Sequence, residues 1–149
     1  MPPESDEILS RLHSALGSVV EVWVADTELR DWTAAVEALQ SKGYHIEFHK
    51  GGSPTDEPLT TDLFTDEREE GGAYDMYVTI GDCHWWTGLF STSLIDFQGR
   101  PEWITSEQEL GDITDFMQVL ADATRKEAIF IPETLTGDVK RYMTRSPRN

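Results

Sequence analysis

At 149 residues the chain has the size of one domain and can bury a core, drawn from 38% hydrophobic residues that include five Trp. Its 28 acidic and 12 basic residues give a net charge of −16, and four of the bases (Lys140, Arg141, Arg145, Arg148) lie in the last ten residues. Residues 1–139 therefore hold 28 acids against 8 bases, a body that repels nucleic acid and anionic membranes and attracts cationic surfaces.

In chain order, Met1–Glu7 shows no basic stretch leading into an apolar one, so no secretory leader is expected. Residues 5–16 predict an amphipathic helix capped by Ser5, with Ile8, Leu9, Leu12 and Leu16 on one face and Gly17 as its stop. Val19 to Ala25 is a β-branched strand that puts Val20, Val22 and Val24 on one face and Val19, Glu21 and Trp23 on the other. Asp26 or Thr27 then caps a helix to about Lys42, with Leu29, Trp32, Val36 and Leu39 inward and Gly43 as terminator. Tyr44, Ile46 and Phe48 alternate with His45, Glu47 and His49, the pattern of a half-buried strand. Short connections between these elements predict two packed layers.

Residues 50–72 break the pattern, being rich in Gly, Pro and acids. A loop of this length in a compact domain is either functional or unstructured, and Leu59, Leu63 and Phe64 are the residues able to pin its middle, as a short strand. Tyr74, Met76, Val78 and Ile80 resume alternation, Gly81-Asp82 signals a turn, and His84 to Ser91 returns as the hairpin partner. Leu94 to Phe97 is a further strand. Ser106 with Glu109 forms a capping box before a third helix whose inner face is Leu110, Ile113, Phe116, Met117, Leu120 and Thr124. Ala128 to Ile131 closes the fold. The expectation is one α+β domain over residues 1–132, with a mixed, mostly antiparallel sheet and about three helices in the order α-β-α-β-loop-β-β-β-α-β. A loose polar, basic tail over 133–149 would follow.

No apolar run approaches the roughly 20 residues of a membrane span. The single cysteine, Cys83, makes no internal disulfide, which points to a reducing cytoplasm. Three constellations invite a chemical reading, and two yield none. His45 and His49 stand four apart on a strand, about 13 Å, too far to close on one ion, so a solvated face is favoured over a metal site. Asp82-Cys83-His84 places its groups on alternating faces in an acidic setting that opposes a thiolate, which favours a turn over a thiol enzyme. No phosphate-binding Gly loop, nucleophile elbow or metalloprotease helix is written in the chain, so no catalytic residue, cofactor or metal is assigned. Trp85-Trp86 is the strongest single feature. On a strand one ring faces each side of the sheet, with Trp85, Thr87 and Leu89 on one face and Trp86, Gly88 and Phe90 on the other. An exposed indole ringed by acids suits a protein interface.

The expected partner surface is therefore Asp56, Asp62, Asp66, Glu67, Glu69 and Glu70 of the long loop together with Asp82, Trp85 and Trp86, facing a basic protein. A small acidic α+β chain with a Trp-bearing hairpin, a capped helix and a final strand (Ser106 to Ile131) resembles the small immunity proteins found beside polymorphic toxins in actinobacteria. The resemblance covers the last half of the chain, rests on layout, and carries over no functional residue. It implies a non-enzymatic inhibitor whose carboxylates stand in for phosphates in the groove of a nuclease-like toxin. Two other readings stay open. One is a small enzyme or ligand-binding domain with a pocket between the sheet and the 50–72 loop. The other is a salt-adapted domain, since four Lys and many acids also fit a cytoplasm of molar salt.

Overall fold

Alternating apolar residues drive one face of each strand inward, and in the computed structural model those faces form a single side of one sheet. The structure describes residues 3–56, 63–64, 74–132 and 141–148. Among them the elements run α1 (Pro3–Ser14), β1 (Val20–Ala25), α2 (Leu29–Ser41), β2 (Ile46–Lys50), β3 (Ser53–Thr55), β4 (Tyr74–Ile80), β5 (Cys83–Thr87), β6 (Leu94–Gly99), α3 (Glu107–Thr124), β7 (Ala128–Pro132) and β8 (Met143–Arg145). The eight strands lie in the spatial order β3-β2-β4-β5-β6-β1-β7-β8, with every pairing antiparallel. This is the α+β single domain expected from the sequence.

Val20, Val22 and Val24 of β1, Met76 and Val78 of β4, Ile95 and Phe97 of β6 and Phe130 of β7 are buried in one core with Trp32, Leu39, Ile113, Phe116, Met117 and Leu120 of the helices. Phe97 meets Phe116 edge to face at 5.3 Å, which joins sheet to helix. Leu63 and Phe64 of the long connection are buried too, Phe64 edge-on to Trp32 at 5.0 Å, although they form no strand; Leu59 lies outside the described residues. Trp85 is wholly buried and lies on Gly99, where an added Cβ would come within 2.7 Å of the ring. Trp103 and Phe130 meet that ring edge-on at 5.9 and 6.3 Å.

Three local expectations are corrected. Helix α1 begins at Pro3 and ends at Ser14, so Leu16 falls beyond the helical face and is 49% exposed. Neither Asp26 nor Thr27 caps α2. The cap is Glu28, whose backbone N–H donates to Asp31 at 2.9 Å, because Thr27 is spent across the fold: its hydroxyl donates to the Thr92 carbonyl at 2.7 Å. The segment read as a loose tail contains β8, which pairs with β7 through Ala128↔Arg145, Ile129↔Thr144 and Phe130↔Met143. After β8 the chain crosses α3, where Arg148 donates to Asp122 from its backbone (2.8 Å) and guanidinium (2.7 Å).

Candidate protein-binding face

The helices cover one side of the sheet, and the polar half of each strand's alternation forms the other. Register lines those outer side chains up in two rows. In the first, Glu47 stands opposite Tyr77, Tyr77 opposite Trp86, Trp86 opposite Gln98, Gln98 opposite Glu21, and Glu21 opposite Ile131. In the second, His49 faces Asp75 at one end, while Asp96 faces Trp23, Trp23 faces Ile129 and Ile129 faces Thr144 at the other. The rows hold four carboxylates (Glu21, Glu47, Asp75, Asp96) and no Lys or Arg.

Aromatic rings occupy the space between those carboxylates. The Trp86 indole N–H donates to Asp75 at 2.9 Å, which fixes a half-buried ring across the β4–β5 pair. Beyond the end of β5, Gly88 leaves room for Phe90 to fold back: a Cβ there would lie 2.6 Å from the Phe90 ring. Phe90 is 44% exposed and meets Trp86 edge-on at 5.7 Å. Leu89, buried between them in sequence, adopts φ +48°, a left-handed backbone that turns the chain away from the sheet and lets Phe90 return. The Tyr77 ring meets His49 edge-on at 5.1 Å.

Electrostatics is uneven along the rows. Asp96 is 6% exposed, and its pKa is pushed up to about 6, first by burial and then by the neighbouring Glu21, against a weak pull from the Thr87 hydroxyl 3.4 Å away. The Trp23 indole N–H is buried with no hydrogen-bond partner among the described residues. At the other end, the Glu47 carboxylate stands 3.7 Å from His45 and 3.8 Å from His49, too long for hydrogen bonds.

The expected partner residues that the structure describes, Asp56, Asp82, Trp85 and Trp86, do not share one surface. Trp86 lies on the outer face as the strand alternation requires, but Trp85 is sealed in the core and is removed from any interface. Asp82 sits in the exposed two-residue turn between β4 and β5, and the cavity it lines is shared with Trp103, Glu109 and Ile113 on the helix side. Asp56 follows β3 at the sheet edge, in a depression bounded by Val36 and Glu37 of α2. Asp62, Asp66, Glu67, Glu69 and Glu70 lie outside the described residues. Glu21, Trp23, Asp75, Tyr77, Asp96 and Gln98, none of them among the expected partner residues, lie in the same outer rows as Trp86. The outward positions of Glu21 and Trp23 in β1 and of Asp75 and Tyr77 in β4 are visible as alternation, but the register that brings them beside Asp96 and Gln98 of β6 is not.

Other chemistry finds little support. Burial, then Glu109 and Asp82, push the Cys83 thiol up, the reverse of an activated nucleophile. Among the described residues no group of three or more His, Cys, Asp or Glu is placed to hold a metal ion, and no helix is long and apolar enough to cross a membrane. The chain matches no family model, and no curated protein or solved structure is significantly similar to it.

Proposed function

We propose that this chain is a non-enzymatic protein-binding domain of the inhibitor or immunity type, and that its outer sheet face receives a basic surface of the partner. The observation that carries the reading is the pair of cross-strand rows, in which the partly exposed rings of Trp86, Phe90 and Tyr77 stand beside the carboxylates of Glu47 and Asp75, and in which none of the described row members is a Lys or Arg. Half-exposed aromatic rings supply contact area at low entropic cost, and the carboxylates steer a cationic partner and penalise an anionic one. A nuclease-like toxin has the required charge, since its substrate groove is lined to bind phosphates.

The test is retention of partner from extracts of the source cells at low and at high salt, with wild-type chain and with Trp86→Ala. A cationic protein should be retained, be released by salt, and bind the variant at least about tenfold more weakly. Retention indifferent to salt and to Trp86 contradicts the reading.

A second reading, a small enzyme, draws on one observation. A buried carboxyl at about 6 beside a second carboxylate is the arrangement that divides acid and base roles. It would require Asp96→Asn to abolish a turnover that the wild-type chain performs.

A further inference from the structure

We propose that a depression beside the aromatic rows seats an arginine side chain of the partner; the inference rests on the protein-binding reading above and specifies what that surface takes. The depression measures about 320 Å³ and is lined by Glu47, His49, Gly52, Asp75, Tyr77 and His84. Its two carboxylates come from neighbouring strands. Since Glu47 faces Tyr77 and His49 faces Asp75, Glu47 and Asp75 are diagonal neighbours, with Cβ atoms about 7 Å apart. A guanidinium, planar and with five N–H donors, spans such a gap and can bond both acids at once.

The remaining walls favour arginine over lysine. Tyr77 offers a ring on which a flat, weakly hydrated cation can stack, whereas an ammonium is a compact and strongly hydrated charge. One Asp75 oxygen is held by the Trp86 indole N–H, so the acid is oriented before any ligand arrives and its second oxygen remains for the guanidinium. The His84 ring is likewise fixed, its Nδ1 lying 3.1 Å from the Thr79 hydroxyl. Gly52, in the left-handed turn between β2 and β3, contributes backbone alone and keeps the rim low. Among the described residues no Lys or Arg lines the depression, so none of them offers Glu47 and Asp75 a guanidinium or ammonium group there. The Trp86–Asp75 bond joins the depression to the aromatic rows, so an arginine seated here places the partner's adjoining surface over Trp86 and Phe90.

The probe is the capped pentapeptide acetyl-Gly-Gly-Arg-Gly-Gly-amide, titrated into the full-length chain and followed by amide chemical shifts. Its counterpart carries citrulline, which keeps the shape and loses the charge. The arginine peptide should shift Glu47, Asp75, Tyr77 and His84 saturably, and the citrulline peptide should bind at least about tenfold more weakly. Glu47→Gln and Asp75→Asn should each weaken the arginine peptide about fivefold or more, while Glu37→Gln on α2 leaves it unchanged. Dispersed amide spectra of the variants verify that each remains folded. Equal response to the two peptides, shifts located elsewhere, or no shift at all overturns the inference. If Trp86→Ala still weakens the cellular partner in that case, the arginine seat is wrong and the protein-binding reading stands. If the arginine peptide saturates the depression but Trp86→Ala leaves partner retention unchanged, the seat stands and that reading falls.

Discussion

Asp96 shows how a single side chain can carry a cost that its neighbours do not relieve. Its pKa is raised from 3.8 to about 6, so between those values the folded chain binds more protons than the unfolded one. Stability therefore falls as pH rises through that window, and the charged group costs on the order of 3 kcal/mol at neutral pH. Asp96→Asn keeps an acceptor for the Thr87 hydroxyl and removes the charge. The variant should melt higher than wild type at pH 7.5 and lose most of the difference at pH 4, as thermal unfolding at the two pH values will read. Gly99 illustrates the opposite constraint. A methyl at this buried position meets the Trp85 ring at 2.7 Å, and Trp103 and Phe130 stand against the same ring. Gly99→Ala should cost about 1–3 kcal/mol in chemical denaturation. At Gly88 the obstructing atoms belong to the exposed Phe90, which can swing away, so Gly88→Ala should be milder for stability and should disturb the aromatic rows instead.

Elements differ in how far their own residues announce them. The third helix was legible in its cap residue and inner face, because both are local, although the return bond of the expected capping box goes to Thr105 and not to the Ser106 N–H. The Ser106 hydroxyl accepts the Glu109 N–H at 3.2 Å, Glu109 reaches back to the Thr105 N–H at 3.0 Å, and Leu110 through Thr124 recur at helical spacing. Ser106→Ala should accordingly cost about 1 kcal/mol, measurable by urea denaturation. Strand β8 was not legible. Met143-Thr144-Arg145 is too short for periodicity to show, and it becomes a strand because Phe130 and Ile129 offer a free edge and Arg148 anchors the chain beyond it. That anchor holds the Asp122 carboxyl at about 2, chiefly through the Arg148 backbone N–H and then its side chain. The stabilisation is present above the ordinary Asp pKa and is lost as pH falls through about 2. Because the pair is exposed it contributes less than about 1 kcal/mol. Arg148→Ala should leave global stability nearly unchanged while hydrogen exchange quickens at Met143–Arg145. The outer face falls between these cases. Alternation placed Glu21, Trp23, Asp75 and Tyr77 on the polar side of their strands, yet only the strand order brings β1 beside β6 and β4 beside β5, and so gathers residues that are far apart in the chain.

On the scale of the whole molecule, negative charge is not confined to the outer face. Glu4, Asp6 and Glu7 of α1, Glu37 of α2 and Glu107 and Asp115 of α3 are exposed as well. What sets the outer face apart is composition. On the helix side Asp122 of α3 is bridged by Arg148 at 2.7 Å, whereas the two rows set carboxylates beside rings. Charge alone therefore makes the molecule attractive to cations from many directions, and in the proposed reading it is the aromatic rows that select where a partner settles. A chain whose acidity served only salt adaptation would unfold when salt is withdrawn. The folded spectrum is expected to persist at about 10 mM salt, where self-repulsion is least screened. The most direct test of the central claim is hydrogen exchange on the complex with the partner recovered from the source cells. The account predicts slowed exchange in β4, β5 and β6, around Tyr77, Trp86 and Gln98, with little change on α1 and α3. Protection centred on the helices, with those three strands unaltered, would contradict it.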